Sequence, residues 1–165
     1  MTDSPPKVPS NMRAYAFANV ELMLDLVYAS RVGPKLDLES MFIYLTVSEA
    51  TMRPLMLDPS TPPEVLELVE PPEEYRGSIT RLLVADRIGM PRETVRRKIQ
   101  KMIEDGLLAE DDQGRIRTTR NFGDGSVQEW TRLTFSAVQR YDQRLRQFGR
   151  PGVAGPKPTE EDPFP

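Results

Sequence analysis

Residues 78–108 constrain the fold of this chain more than any other segment. A run of helix-forming residues ends at Gly89-Met90-Pro91, and a second run with a basic face follows it. Glycine adopts the positive φ that a tight turn often needs, and proline is tolerated in the first turn of a helix. The segment is therefore predicted to form two helices joined by a tight turn, which is the layout of a helix-turn-helix.

Apolar spacing predicts which side of each helix packs into the core. Ala85 is expected where the two helices cross closely, because a small side chain fits there, and Gly89 is expected at a turn position with positive φ. The residues expected to pack are Leu82, Leu83, Ala85 and Ile88 in the first helix, and Val95, Ile99, Met102 and Ile103 in the second.

The opposite side of the second helix is basic. A helix of this kind contacts base edges in the DNA major groove with its first two turns. The residues expected to contact bases are Arg92, Glu93, Arg96 and Arg97. Contacts to phosphate, which position the protein without specifying sequence, are expected from Arg81, Thr94, Lys98, Lys101, Arg115 and Arg117.

A β-hairpin is predicted directly after the second helix. Residues 106–119 contain two short apolar segments around a turn at Asp111-Asp-Gln-Gly114, and Arg115 and Arg117 alternate with Ile116 as in a half-buried strand. The hairpin is expected to form the wing of a winged helix. Because its tip is acidic, two interpretations stay open, a wing that contacts DNA and a purely structural hairpin.

The run Gly89-Met-Pro-Arg-Glu-Thr-Val-Arg-Arg97 resembles the recognition helix of the Crp-type winged-helix regulators of bacteria. The resemblance covers about residues 79–108 and implies that Arg92, Glu93 and Arg97 contact bases. That family usually has Ser or Thr where this chain has Pro91. The order of helices, wing and long last helix is similar to that of MarR-type regulators, which implies a dimer joined by its terminal helices.

Two further helices precede the segment and one follows it. The first, about residues 11–30, is apolar nearly all round, which indicates burial on several sides, and the second, about 38–52, can be capped by Asp37. The last helix is expected to open at Ser126 with a capping box to Glu129. The residues expected at a dimer interface are Phe17, Val20, Leu24 and Val27 of the first helix, and Trp130, Val138, Tyr141 and Leu145 of the last.

Proline marks the predicted boundaries, since three of the sixteen lie in residues 1–10, six in 54–72 and five in 150–165. The expected organisation is a disordered tail at 1–10, a single winged-helix domain at 11–149, and a disordered tail at 150–165. Within the domain we expect N-terminal helices at 11–56, a Pro-rich linker with one short helix at 57–77, the helix-turn-helix and wing at 78–120, and the C-terminal helix at 126–149. The fold class is thus mainly α with a small β-wing.

Composition argues against several functions. The chain has no cysteine and no histidine, so the commonest general base and metal ligand are absent, and we expect neither an enzyme, a cofactor nor a metal site. The net charge is −3, yet residues 78–120 carry ten Lys/Arg and seven Asp/Glu, or +3, which leaves −6 for the rest. Residues 14–29 are apolar but too short and charged for a membrane span, and the N-terminus does not resemble a signal peptide, so a cytoplasmic protein is expected.

The leading hypothesis is a sequence-specific regulator of transcription that binds double-stranded DNA as a homodimer on a pseudo-palindromic site. The alternative is a winged helix that serves as a protein-interaction module without sequence-specific DNA binding. Two ordinary surface helices with a solvated basic face would be a simpler explanation of residues 82–99. For Trp130, Phe135 and Tyr141, core packing and an effector pocket both stay open.

Overall fold

The computed structural model describes residues 8–9, 11–33, 35–119 and 122–149. Within them the chain forms six α-helices, one 3-10 helix and one two-stranded antiparallel sheet, in agreement with the predicted helical fold with a small hairpin. The expected tails at 1–10 and 150–165 lie outside the described residues, apart from Val8 and Pro9. The elements are α1 (Met12–Val32), α2 (Leu38–Leu57), α3 (Pro63–Leu66), the 3-10 helix (Glu73–Tyr75), α4 (Arg81–Ile88), α5 (Arg92–Glu104), β1 (Leu108–Glu110), β2 (Ile116–Thr118) and α6 (Gly125–Gln147).

Internal contacts divide the chain into two units. The main unit comprises residues 27–132, and the terminal unit comprises the described residues before 27 and after 132. That residues 11–149 act as one domain stays a prediction. Among the described residues, every helix is too short or too polar to span a lipid bilayer.

The core of the main unit joins α2, α4, α5 and the hairpin. Ile79 adds an isolated bridge beside the sheet, where its N–H and carbonyl both bond to Ile116 at 2.9 and 2.7 Å. In the sheet, Leu108 lies opposite Thr118 and Glu110 opposite Ile116. The buried residues that pack together are Ile43, Tyr44, Val47, Ile79, Val84, Ala85, Val95, Ile99, Met102, Leu107, Leu108 and Ile116. The predicted inner face of α5 is therefore confirmed.

Helix α2 begins as predicted and ends later. Asp37 caps it by accepting a hydrogen bond from the backbone N–H of Ser40 at 2.8 Å. The helix then continues through Pro54 to Leu57, five residues beyond the predicted end. Because proline has no N–H, it cannot donate to the Ala50 carbonyl one turn earlier. Gly77 lies against this carbonyl, and its N–H donates to the Thr51 carbonyl at 2.9 Å.

Two local predictions are wrong. Leu82 and Leu83 are 48% and 45% exposed, and Val84, which is fully buried, takes the core position beside Ala85. Val84, Ala85 and Ile88, at spacings of one, three and four residues, share one side of α4 and pack on the core, and Leu82 and Leu83 fall outside that side. The capping box at the start of α6 is also absent, since the N–H of Ser126 bonds to the side chain of Asp124 and the carboxylate of Glu129 bonds to Arg132.

Candidate nucleic-acid interface

The turn between α4 and α5 has the predicted geometry. Gly89 ends α4 in the left-handed region with φ of +65°, and its N–H bonds back to the Ala85 carbonyl. Pro91 occupies the N-cap of α5 without a side-chain hydrogen bond, and the helix begins at Arg92. Helix α5 thus begins directly after Pro91 without a side-chain cap.

Helix α5 has two chemically distinct sides. Val95, Ile99 and Met102 are buried and hold the helix on the core. The outer face of α5, as the term is used below, is the exposed side formed by Arg92, Glu93, Arg96, Arg97, Gln100 and Lys101. All four predicted base-contacting residues therefore lie together on one exposed helical surface.

Side chains on the outer face bond mainly to neighbours on the same helix. The Arg96 guanidinium donates to both carboxylate oxygens of Glu93 at 2.9 and 2.6 Å, and this hydrogen bonding lowers the pKa of Glu93. Lys101 lies 3.1 Å from Asp105, and Arg92 lies 3.9 Å from Asp86 on α4. These pairs are exposed, and such pairs are weak, so an incoming ligand can replace them at small cost.

Gln100 belongs to this surface although the prediction omitted it. It is exposed, one turn after Arg96 and Arg97, and its amide donates to Glu104 at 3.2 Å. A glutamine amide can bond to N6 and N7 of adenine. Its spacing of three and four residues from the two arginines is the signal that would have identified it.

Several of the predicted phosphate contacts have protein partners instead. Lys98 is only 16% exposed, and its ammonium bonds to Asp37 at 3.0 Å and to Glu39 at 3.2 Å. Partial burial opposes the charged form, but these hydrogen bonds outweigh it and raise the pKa of Lys98. Lys98 thus ties α5 to the start of α2, and its contact with phosphate stays a prediction. Thr94 is half-buried in the first turn of α5, and Lys101 is exposed.

The predicted arginines of α4 and the hairpin are also engaged within the protein. Arg81 donates to both carboxylate oxygens of Glu110 at 2.9 and 2.7 Å, and this bonding lowers the pKa of Glu110. Arg115 donates to the carbonyl of Ser78 at 2.6 Å, and Arg117 pairs with Glu73. These bonds join α4, the 3-10 helix and the hairpin.

The acidic tip of the hairpin has a structural explanation. Asp111 accepts hydrogen bonds from the N–H groups of Gln113 and Arg115, and the bond from Arg115 above all lowers the pKa of Asp111. Glu110 is held by Arg81. Within the described residues, no cluster of three carboxylate side chains is placed to hold a metal ion.

In the terminal unit, α6 pairs with α1 of the same chain. Arg144 bonds to both carboxylate oxygens of Glu21 at 2.7 and 3.0 Å, and Arg140 lies 2.7 Å from Asp25. The rings of Phe17 and Phe148 meet edge to face at 6.3 Å. Residues of both helices are expected at a dimer interface, and these contacts join the two helices within one chain.

The expected dimer residues fall into two groups by exposure. Phe17, Val20, Leu24 and Val138 remain at least half exposed, at 50%, 58%, 65% and 52%. The partly buried members are Val27, Trp130, Tyr141 and Leu145. The three aromatic residues considered for an effector pocket do not share one, since Trp130 lines a pocket of the main unit, Tyr141 lines a groove of the terminal unit, and Phe135 is 62% exposed.

Comparison with protein-family models, with curated proteins and with solved structures gave no match to this chain.

Proposed function

We propose that the chain is a winged helix-turn-helix regulator of transcription that binds double-stranded DNA in a sequence-specific manner as a homodimer. The observation that carries the proposal is the outer face of α5, where three arginines and a glutamate are exposed while the opposite side of the helix is anchored in the core. A rigid helix with this division is suited to the major groove, which admits an α-helix.

The chemistry of the outer face favours base contacts. Arginine can bond to O6 and N7 of guanine, glutamate can accept from N4 of cytosine, and each good pair contributes about 1–3 kcal/mol of discrimination. The Glu93–Arg96 bonds hold both side chains in defined positions before DNA arrives. Arg92 and Lys101 are about three-quarters exposed and remain accessible to phosphate or base.

Exposed apolar side chains of the terminal unit support a homodimer. Val20, Met23 and Leu24 on α1 are 58–65% exposed, and Phe135 and Val138 on α6 are 62% and 52% exposed. Val20, Met23 and Leu24 share one side of α1 at spacings of three and four residues. Exposed apolar surface of this kind marks interaction sites, and a second copy offers the same surface. Two copies related by a two-fold axis would place two α5 helices in successive major grooves, about 34–36 Å apart.

Affinity selection from random DNA duplexes tests the proposal. We compare the wild-type chain, the triple variant R92A/R96A/R97A and a control, R53A/R132A/R146A, which loses the same charge from exposed arginines that each pair with a carboxylate on their own helix. Wild type and control should enrich one pseudo-palindrome with half-sites about one helical turn apart, and the triple variant should enrich none. Enrichment of no motif by wild type would reject DNA recognition, and half-sites without fixed spacing would reject the dimer.

A winged-helix protein-interaction module is the second candidate. The exposure of Leu82 and Leu83 on α4 favours it, because two adjacent exposed leucines suit an apolar partner surface. A protein partner whose binding survives R92A/R96A/R97A but is lost in L82S/L83S, together with a failed duplex selection, would support this candidate over DNA binding.

A further inference from the structure

The main unit contains a concave apolar pocket of about 200 Å³. Its walls come from the second half of α2, from residues 66–71 and from residues 122–131 around the start of α6. Buried Tyr44, Thr51 and Thr118 lie at its base. The pocket is thus built on the contact between α2 and β2, in a rigid part of the core.

Large apolar side chains surround the pocket and remain open to solvent. Their exposed fractions lie between 45% and 62%, and the residues are Met52, Met56, Leu66, Leu68, Val69 and Phe122. Single exposed apolar residues are common, but a contiguous ring around one concavity marks a binding site. Methionine and aromatic side chains pack favourably on aromatic rings, so this lining suits an aromatic ligand.

Charge around the pocket selects an uncharged ligand. Arg76 and Glu70 are the charged residues that line it, and their charges cancel. The Arg76 side chain is 13% exposed, and its guanidinium already bonds to the Thr118 carbonyl at 2.5 Å and to Glu73 at 3.3 Å. An anion would have to displace Glu73 and lie near Glu70, whereas a cation would meet Arg76. Burial of an unpaired charge is costly.

We propose that this pocket binds an uncharged, apolar aromatic molecule of two or three rings. The size follows from the volume, since a closed apolar cavity of about 150 Å³ holds benzene and this pocket is larger and open on one side. None of the residues that line this pocket belongs to the outer face of α5. Binding of the aromatic molecule therefore goes beyond the proposed function and does not depend on DNA binding.

A matched pair of fluorescent compounds tests the pocket and its charge preference. N-phenyl-1-naphthylamine is neutral, and 8-anilino-1-naphthalenesulfonate has the same ring skeleton with a sulfonate. Trp130 lines the pocket and is the sole tryptophan of the chain, so energy transfer from it reports binding nearby. We expect one neutral molecule per chain, saturable, with quenching of Trp130 and a Kd at least about ten-fold lower than that of the anion. Equal or tighter binding of the anion would overturn the neutral assignment.

Substitutions at exposed methionines locate the bound compound. Met52→Lys places a charge at the pocket, and Met12→Lys makes the same change on α1, at a residue that is 50% exposed and outside this pocket. We expect Met52→Lys to weaken binding at least about ten-fold and Met12→Lys to leave it within about two-fold. Because Met56 is 62% exposed at the same pocket, Met56→Lys repeats the test at a position where the substitution should disturb folding less than at Met52.

Two outcomes would overturn the proposal. Equal loss in the Met52 and Met12 variants, or no loss in the Met52 variant, would mean that the compound binds elsewhere. Sedimentation equilibrium tests whether a second copy of the chain occupies the pocket instead. If Met52→Lys dissociates a dimer, and if the neutral compound binds less tightly as the chain concentration rises, the second copy is the occupant. A concentration-independent Kd supports the small-molecule site.

Discussion

The outer face of α5 and the junction of the hairpin with α4 and the 3-10 helix both carry arginines, but the two regions use them differently. Arg96 on α5 bonds to a carboxylate three residues away on its own helix and is 61% exposed. Arg81 and Arg117 bond to residues on other elements and are 27% and 28% exposed. The described part of this basic stretch thus contains two populations of cations, and the population on the outer face of α5 is placed to meet an external partner.

The net charge of a segment does not show which of its cations are already bonded within the protein. Residues 78–120 have a net charge of +3, yet Arg81, Lys98, Arg115 and Arg117 are engaged in joining helices and strands. Substitutions at the junction should therefore change the free energy of unfolding. Substitutions on the outer face should leave it nearly unchanged and act on binding.

The largest expected effect on stability is at Gly77, beside α2. A Cβ there would lie 2.2 Å from the backbone oxygen of Ala50 and 3.1 Å from the ring of Pro54, so the backbone would have to move. We expect Gly77→Ala to cost about 3 kcal/mol or more, measured by urea unfolding. Gly125→Ala is the control, because no atom lies within 4 Å of its Cβ position. Equal stability of the two variants would show that Gly77 is not tightly packed against α2.

An effect of intermediate size is expected at Arg115. Its guanidinium bonds to the Ser78 carbonyl at 2.6 Å in a partly buried environment, and removal leaves that carbonyl without its donor. We expect Arg115→Ala to lower the free energy of unfolding by about 1–2 kcal/mol. Arg97→Ala on the outer face should change it by less than about 0.5 kcal/mol. A larger loss at Arg97 than at Arg115 would reverse the proposed division.

Substitution of Lys98 should have a smaller effect on the free energy of unfolding and no effect on the salt dependence of DNA binding. Its partners Asp37 and Glu39 are more than half exposed, so we expect Lys98→Met to cost at most about 1 kcal/mol. Because the ammonium faces α2, the slope of log K against log salt for duplex binding should not change.

Lys101→Met is the matched comparison for Lys98→Met. Lys101 is 73% exposed on α5, and loss of one phosphate contact should reduce the salt slope by about 0.9. A reduced salt slope in the Lys98 variant would support the predicted contact of Lys98 with phosphate. It would contradict the inference that Lys98 acts only by holding α5 on α2.

The smallest expected effect is the pH dependence of the Arg81–Glu110 pair. The bond from Arg81 lowers the pKa of Glu110, so the folded chain holds the proton less tightly than the unfolded chain does. The contribution of the pair is present above the ordinary carboxyl pKa of about 4.3 and is lost as the pH falls through the lowered pKa. The difference in urea midpoint between wild type and Arg81→Met should therefore shrink on acidification. A difference that stays constant with pH would show that Glu110 is not responsible.

Local patterns in the sequence were sufficient for much of the main unit. The positive φ at Gly89, the Asp37 cap, the buried Val95 and Ile99, and the hairpin turn at 111–114 are all confirmed. Each of these depends on residues within a few positions of one another. Such interactions are encoded by spacing alone.

The remaining features depend on contacts between distant residues. Lys98 and Asp37 are 61 positions apart, and Gly77 meets Ala50 across the Pro-rich segment. No local pattern indicates that Lys98 turns toward α2 or that the pocket beside Met52 exists. The exposure of Leu82 and Leu83 has a local origin, because Val84, Ala85 and Ile88 share the side of α4 that faces the core and both leucines lie outside it.

A paired measurement on two triple variants tests the central claim, that the outer face of α5 binds DNA while the junction arginines hold the fold. R92A/R96A/R97A and R81A/R115A/R117A remove the same charge, and each is assayed for urea unfolding and for affinity to the selected duplex. We predict that the first loses about 100-fold or more in affinity and changes the unfolding free energy by less than about 0.5 kcal/mol. The second should be clearly destabilised and, while folded, keep its affinity within about ten-fold. Equal losses of affinity in both variants would contradict the claim, because binding would then follow total charge rather than the outer face of α5.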